Sequence, residues 1–183
     1  MPPTIATKYT INLYPEFRIK IHEALRIGEQ EGIEIHPYCG VRTCVEQAIL
    51  YRSTRTLKEI ESKMRSLTDR SCPFLAQILL DIGPQQGPLG RHKTKAGPGE
   101  SWHQYAMAED CVPIVGGKAL WNDDAEEWQV YGAIVRSLGL TWAGDWTGFR
   151  EYPHCQLHPT SSPLSHFKDP IEIESILKQV GSL

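Results

Sequence analysis

The sequence predicts a domain of the α+β class. Three observations carry that expectation: amphipathic stretches of helical period that begin at recognisable caps, short apolar or alternating runs of strand length, and no regular β-α-β rhythm of the kind that builds a doubly wound sheet. At 183 residues the chain can bury one core without disulfide staples, so a single domain over residues 1–183 is expected.

From Glu16 to Gln30, Phe17, Ile21 and Leu25 recur four residues apart with Ala24 beside them, and Gly32 follows as a stop, which predicts an amphipathic helix. Ile33 and Ile35 then alternate with polar neighbours up to Pro37, as a half-buried strand does. Thr43 with Glu46, and Thr56 with Glu59, have the spacing of a capping box. A helix therefore starts at each threonine, and helical structure runs to about Leu80 with a break at Pro73. Gly83 to Glu100 holds five glycines and three prolines, a composition foreign to regular structure, and so long a loop inside a domain usually serves a function. Cys111 to Val115, ending at Gly116 and Gly117, suits a central strand. Asp124 to Leu138 fits another helix, capped by Asn122 or Asp123 and stopped at Gly139. Leu140 to Leu157, rich in tryptophan and glycine, alternates strand and loop.

The composition, 40% hydrophobic and 22% charged, is that of an average folded soluble chain. A formal net charge of -3 and a pI near 6.2 supply no global basic field, which excludes nucleic acid as a partner. The basic run Arg91 to Lys95 reads as a solvated loop. Met1 to Thr10 lacks the apolar core of a secretory signal and no stretch approaches membrane-spanning length. A monomer without membrane insertion, cytoplasmic as synthesised, is expected. Five cysteines make an odd count with no Cys-x-x-Cys pair, which argues against a disulfide framework and a thiolate zinc knuckle. Reduced, mostly buried thiols are the expectation.

Metal-capable side chains concentrate in two segments, 101–110 (Ser-Trp-His-Gln-Tyr-Ala-Met-Ala-Glu-Asp) and 144–156 (Gly-Asp-Trp-Thr-Gly-Phe-Arg-Glu-Tyr-Pro-His-Cys-Gln). A catalytic zinc site needs three protein ligands and one open position for water, and two histidines with one carboxylate from separate segments suffice. The water also needs a base. Glu151 lies three positions before His154, near enough for a bent strand end to present both to one metal. A carboxylate in reach of such a water can take its proton as it attacks a peptide carbonyl.

Ser-x-His followed by Ala-x-Asp, then Gly-Asp-Trp and Pro-His-x-Gln, resembles the M15 peptidases. That family includes D-alanyl-D-alanine carboxypeptidases and dipeptidases and the L-alanyl-D-glutamate endopeptidases found among phage endolysins and bacterial autolysins. Upstream, Gly40-Val41-Arg42-Thr43 with Glu46-Gln47 and Leu50-Tyr51 is similar to the family's Gly-Tyr-Arg-Ser and Glu-Gln stretch. The resemblance spans about Leu13 to Gln156. It implies a small antiparallel sheet flanked by helices, of the hedgehog/DD-peptidase kind, and a Zn2+ cofactor on His103, Asp110 and His154. It also implies Glu151 as general base, where endolysin-like members commonly carry Asp, and Arg42 as the guanidinium that stabilises the oxyanion. Ser101 is implied to hold substrate, and Asp145 and Trp146 join it as substrate-binding expectations. Asp145 reads equally as a turn cap beside Gly144, and Trp142, Trp146 and Phe149 as core or cleft wall. Two departures are Ala106, where the family usually has Gly, and Ala143, in place of the first Gly of a Gly-Gly-Asp-Trp segment. The helical and loop insert at about 54–99 is longer than the resemblance leads one to expect.

His154 and His158 have the spacing of a helical metal pair, but Pro153 and Pro159 disfavour a helix. In an extended chain, four residues at about 3.3 Å each separate two side chains too far to share an ion. His158 therefore stands outside the ligand set, with His22, His36, His92 and His166. Cys111 and Cys155 neighbour implied ligands and should face the other way, since strand neighbours alternate. The resemblance favours a peptidoglycan peptidase of the L-alanyl-D-glutamate endopeptidase branch, acting on the stem peptide of the wall after export or lysis. A D-alanyl-D-alanine carboxypeptidase is the alternative, and it needs a group that grips a terminal carboxylate. A non-catalytic zinc-containing binding module is the alternative of another class; retention of Arg42 and Glu151 with the three implied ligands speaks against it.

Overall fold

Phe17, Ile21, Ala24 and Leu25 turn one side of a 16-residue helix into the core, as their spacing predicts. The computed structural model of the chain describes residues 6–83 and 92–183. In chain order the helices and strands begin with α1 (Ala6–Thr10), α2 (Pro15–Gln30), β1 (Glu34–Cys39), α3 (Cys44–Arg52), α4 (Leu57–Asp69) and α5 (Pro73–Asp81). They continue with β2 (Ala108–Val115), β3 (Lys118–Ala119), α6 (Glu126–Ser137), β4 (Thr141–Trp142), β5 (His154–Gln156), α7 (Pro163–His166) and α8 (Pro170–Gln179). Single 3-10 turns occupy Trp102–Tyr105 and Ala143–Asp145. This is the expected α+β class, and the chain groups into two compact units, Met1–Val41 with Ala106–Pro159, and Arg42–Tyr105 with Thr160–Leu183.

The first unit holds an antiparallel sheet in the order β1-β2-β5-β4, with β3 pairing onto β2. Its core joins α2 and α6 to the sheet through Phe17, Ile21, Ile35, Trp128, Val135 and Trp142. β1 runs on past Pro37 to Cys39, beyond the predicted stop, because it lies at the edge of the sheet, where a missing N–H need not interrupt pairing. β2 starts at Ala108, three residues before the predicted Cys111, so that the polar pair Glu109 and Asp110 falls inside a strand. α6 begins at Glu126 after Ala125, without a side-chain cap. Asn122 instead closes the preceding turn, its Oδ1 accepting from the Asp124 N–H at 3.3 Å and its carbonyl from Trp128 Nε1 at 3.1 Å.

In the second unit both predicted capping boxes are present. Thr43 Oγ1 accepts from the Glu46 N–H at 3.1 Å while Glu46 accepts from the Thr43 N–H at 2.8 Å, and Thr56 with Glu59 repeats the exchange at 3.3 and 2.8 Å. Pro73 stands in the first turn of α5, where its missing N–H costs nothing. α8, which the periodicity did not single out, is capped by Asp169, whose carboxylate accepts from the Ile171 N–H at 2.9 Å. The glycine- and proline-rich segment falls partly outside the described residues, at 84–91. Its later part is tied down: Glu100 Oε2 accepts from Lys63 Nζ at 2.6 Å and from the Gly97 N–H at 2.8 Å. Among the described residues no helix is long and apolar enough to cross a membrane.

Candidate active site

β2 and β5 pair with Asp110 opposite His154, Glu109 opposite Cys155 and Ala108 opposite Gln156. Opposed residues share a face of the sheet and successive residues alternate, so Asp110 and His154 project together. Cys111 and Cys155 turn the other way and join the hydrophobic core. His154 Nδ1 lies 3.1 Å from Asp110 Oδ1, and its Nε2 lies 3.0 Å from Gln156 Oε1. Gln156 in turn donates from Nε2 to the His158 carbonyl at 2.6 Å, which orients the amide with its oxygen toward the ring. His154 Nε2 then donates to Gln156, and Nδ1 is the nitrogen that faces the Asp110 carboxylate; once Nδ1 gives up its proton, this arrangement suits an imidazole that holds a cation. Burial opposes a charge on His154, but the Asp110 hydrogen bond and the charges of Asp110 and Glu151 outweigh it and raise the imidazole above its ordinary range. Beside them, burial and the Asp110 charge push the Glu109 carboxyl up to about 9.

The loop before β5 brings Glu151 to the same place. Its backbone is fixed at three successive residues: the Glu151 N–H donates to the Ala143 carbonyl at 3.3 Å, Trp142 Nε1 to the Tyr152 carbonyl at 2.7 Å, and the Cys111 N–H to the Pro153 carbonyl at 3.0 Å. A tight turn, closed by the His154 N–H on the Glu151 carbonyl at 3.0 Å, then presents both side chains to one cleft. Asp110, Glu151 and His154 line this cleft together with Tyr38, Tyr152 and Pro153. Asp123 and Arg150 complete its lining. Burial, assisted by the Asp110 charge, pushes the Tyr38 phenol far above its ordinary range and keeps it protonated. The Trp146 ring stands 5.6 Å from the His154 ring. Asp145 is engaged elsewhere: it is exposed and accepts twice from Arg136 Nη1, at 2.9 and 3.0 Å.

The second unit carries the other implied residues. His103 is buried on the 3-10 turn Trp102–Tyr105. That turn is pinned by Trp102 Nε1 donating to the Thr160 carbonyl at 2.7 Å and by the Tyr105 hydroxyl donating to the Gly99 carbonyl at 3.0 Å. The Arg42 N–H donates to the His103 carbonyl at 3.2 Å, which holds these two residues side by side. Arg42 Nη1 donates to Gln47 Oε1 at 3.0 Å, and Gln47 donates from Nε2 to the Ala96 carbonyl at 2.7 Å, so Gln47 aims the guanidinium. The Ser101 N–H donates to Gln104 Oε1 at 3.1 Å.

The structure thus adds residues to which the sequence gave no role. Gln156 and Gln47 both stood inside quoted motifs, and that was the available signal. Tyr38, Asp123 and Arg150 reach the cleft only because the chain folds, and no spacing in the sequence marks them.

The M15 peptidase family model described as D-alanyl-D-alanine carboxypeptidase matches residues 94–157. The peptidoglycan L-alanyl-D-glutamate endopeptidase CwlK of Bacillus subtilis is 32% identical over 156 residues, which cover 81% of this chain and 75% of that protein. The crystal structure of the L-Ala D-Glu endopeptidase ChiX of Serratia marcescens matches over 85% of this chain and 87% of its own, with 18% identity and a TM-score of 0.48.

Proposed function

The chain belongs to the M15 peptidase family, and from that premise we propose that it hydrolyses the L-alanyl-D-glutamate bond of peptidoglycan stem peptides, using zinc held by His103, Asp110 and His154. It is a peptidoglycan-cleaving metallopeptidase. The observation that supports this reading most is the convergence of Asp110, His154 and Glu151 on one cleft, with Gln156 setting the tautomer of the histidine.

The donor chemistry fits the metal. An imidazole nitrogen that has released its proton and a carboxylate oxygen 3.1 Å from it are the mixed N and O donors that zinc takes in catalytic sites, and the ring carries the outer hydrogen bond such ligands need. When bound, the ion supplies Lewis acidity to the attacking water and to the scissile carbonyl. Glu151 accepts the proton of that water and returns it to the leaving nitrogen, so that an amine rather than an amide anion departs. Arg42, aimed by Gln47, stabilises the negative charge that develops on the carbonyl oxygen. Ser101 and Trp146 are the residues that hold the peptide in this reading.

The test is digestion of purified stem peptides by the wild type and by Glu151→Ala, with products identified by mass spectrometry. The endopeptidase reading requires new ends at L-alanine and D-glutamate from the wild type and none from the variant. Release of free D-alanine instead would favour D,D-carboxypeptidase activity, the reading that the description of the matching family model supports.

A further inference from the structure

We infer that Arg150 is a specificity residue that binds the carboxylate on the leaving side of the scissile bond, the free α-carboxylate of D-glutamate. This rests on the endopeptidase reading above. Among the described residues that line the cleft, Arg150 is the one lysine or arginine, and it enters beside Glu151, its neighbour in sequence. Both side chains line the one cleft, so a group held by Arg150 is bound in the cleft that Glu151 serves. Arg150 Nε donates to the Trp146 carbonyl at 3.3 Å, which ties one edge of the guanidinium to the loop and leaves its two terminal nitrogens as a fork. Among the described residues no carboxylate pairs with it, although Asp123 lines the same cleft. An unpaired, half-tethered fork is suited to a planar anion, which it meets with two parallel hydrogen bonds.

The substrate supplies that anion. D-glutamate continues the stem peptide through its side-chain carboxyl, so its α-carboxylate stays free on the carbon that bears the scissile nitrogen. The terminal residue of a D-alanyl-D-alanine peptide carries a carboxylate at the same place. The shared chemistry is a carboxylate one carbon from the leaving nitrogen, and D-glutamate is the source that the endopeptidase reading selects. Where the α-carboxylate is amidated to isoglutamine, the fork meets a neutral group and loses its charge-assisted bonds.

The experiment uses the full chain loaded with zinc and two synthetic pentapeptides, L-Ala-γ-D-Glu-L-Lys-D-Ala-D-Ala and its α-amide, with kcat/KM and the bond cut both read for each. The wild type is expected to cut the L-Ala to D-Glu bond and to prefer the acid over the amide by about tenfold, the modest size of charge-assisted bonds at an exposed site. R150Q should bring that ratio to about one, mainly through KM, and R150K should restore part of it. Raised salt should narrow the wild-type preference. A wild-type ratio near one, or R150Q cutting with the wild-type ratio, overturns the assignment while the endopeptidase reading stands. Cleavage of neither peptide at L-Ala to D-Glu overturns that reading, and release of D-alanine alone moves the carboxylate to the other source.

Discussion

Asp110 and His154 stand directly opposite each other on neighbouring antiparallel strands, with a carboxylate oxygen of one 3.1 Å from Nδ1 of the other. The sheet register therefore sets the donor pair, and neither residue depends on a flexible loop for its position. If the pair holds metal, Asp110→Asn and His154→Ala should each lose the ion by elemental analysis and lower activity by about a hundredfold or more, since even the supporting residues of metal sites cost 10- to 100-fold. Unchanged metal content in either variant would remove that residue from the ligand set. Dialysis against a chelator should abolish activity, and added zinc should restore it.

Glu151 and Arg42 should separate from the ligands in the same assay. Glu151→Gln keeps the size of the side chain and removes its basicity, so if Glu151 is the proposed base kcat should fall by about 10²–10⁴ with metal content intact. If Arg42 stabilises the oxyanion as proposed, Arg42→Ala should lower kcat by about 10²–10³ with a smaller change in KM. A large KM effect at constant kcat would instead mark Arg42 as a ground-state contact.

The fold and the site differ in how far the sequence revealed them. The two capping boxes and the α2 stripe were legible because each is local, with donor, acceptor and apolar spacing lying within one or a few turns. Asp110, Glu151 and His154 were legible because they stand in motifs that resemble a family. Tyr38 and Asp123 were not, since the cleft they line with Glu151 is made by segments that lie far apart in the chain, and Arg150, although it adjoins Glu151, stands at a position to which the motif gave no role. β2 was cut short for a related reason: Glu109 lies in its interior, fully buried, where hydropathy alone would not place a carboxyl.

The loop that carries Glu151 hangs on Trp142, and Trp142 is enclosed by two glycines. A Cβ at Gly132 would lie 2.3 Å from the Trp142 ring, and one at Gly144 would also lie 2.3 Å from it. The ring is fully buried and hydrogen-bonded to Tyr152, so it has nowhere to move. Gly132→Ala should therefore destabilise by about 1–3 kcal/mol despite the better helix propensity of alanine, read as a lower midpoint in urea. A rise in stability would show that the indole can shift.

Ala106 departs from the glycine usual at its motif position, and it adopts φ 59, a left-handed conformation that costs a residue with a Cβ about 1–2 kcal/mol. Ala106→Gly relieves that strain and loses one buried methyl, worth about 0.8 kcal/mol. The net expectation is a gain of up to about 1 kcal/mol, seen as a higher melting temperature. A lower one would mean that packing of the methyl outweighs the backbone strain.

His22 gives the fold a dependence on pH that is separate from the cleft. Its Nε2 lies 2.9 Å from Thr10 Oγ1, and burial, then the charge of Arg18, lower its pKa from the ordinary 6.5. Between the ordinary value and the lower folded one, the unfolded chain binds more protons than the folded chain. Stability must therefore fall as pH drops through 6.5, and this loss is complete below the folded pKa. His22→Gln keeps a hydrogen-bonding group near Thr10 but cannot titrate. Melting temperatures measured from pH 7.5 to pH 5 should accordingly fall more steeply for the wild type than for His22→Gln, and parallel curves would exclude His22 as the source.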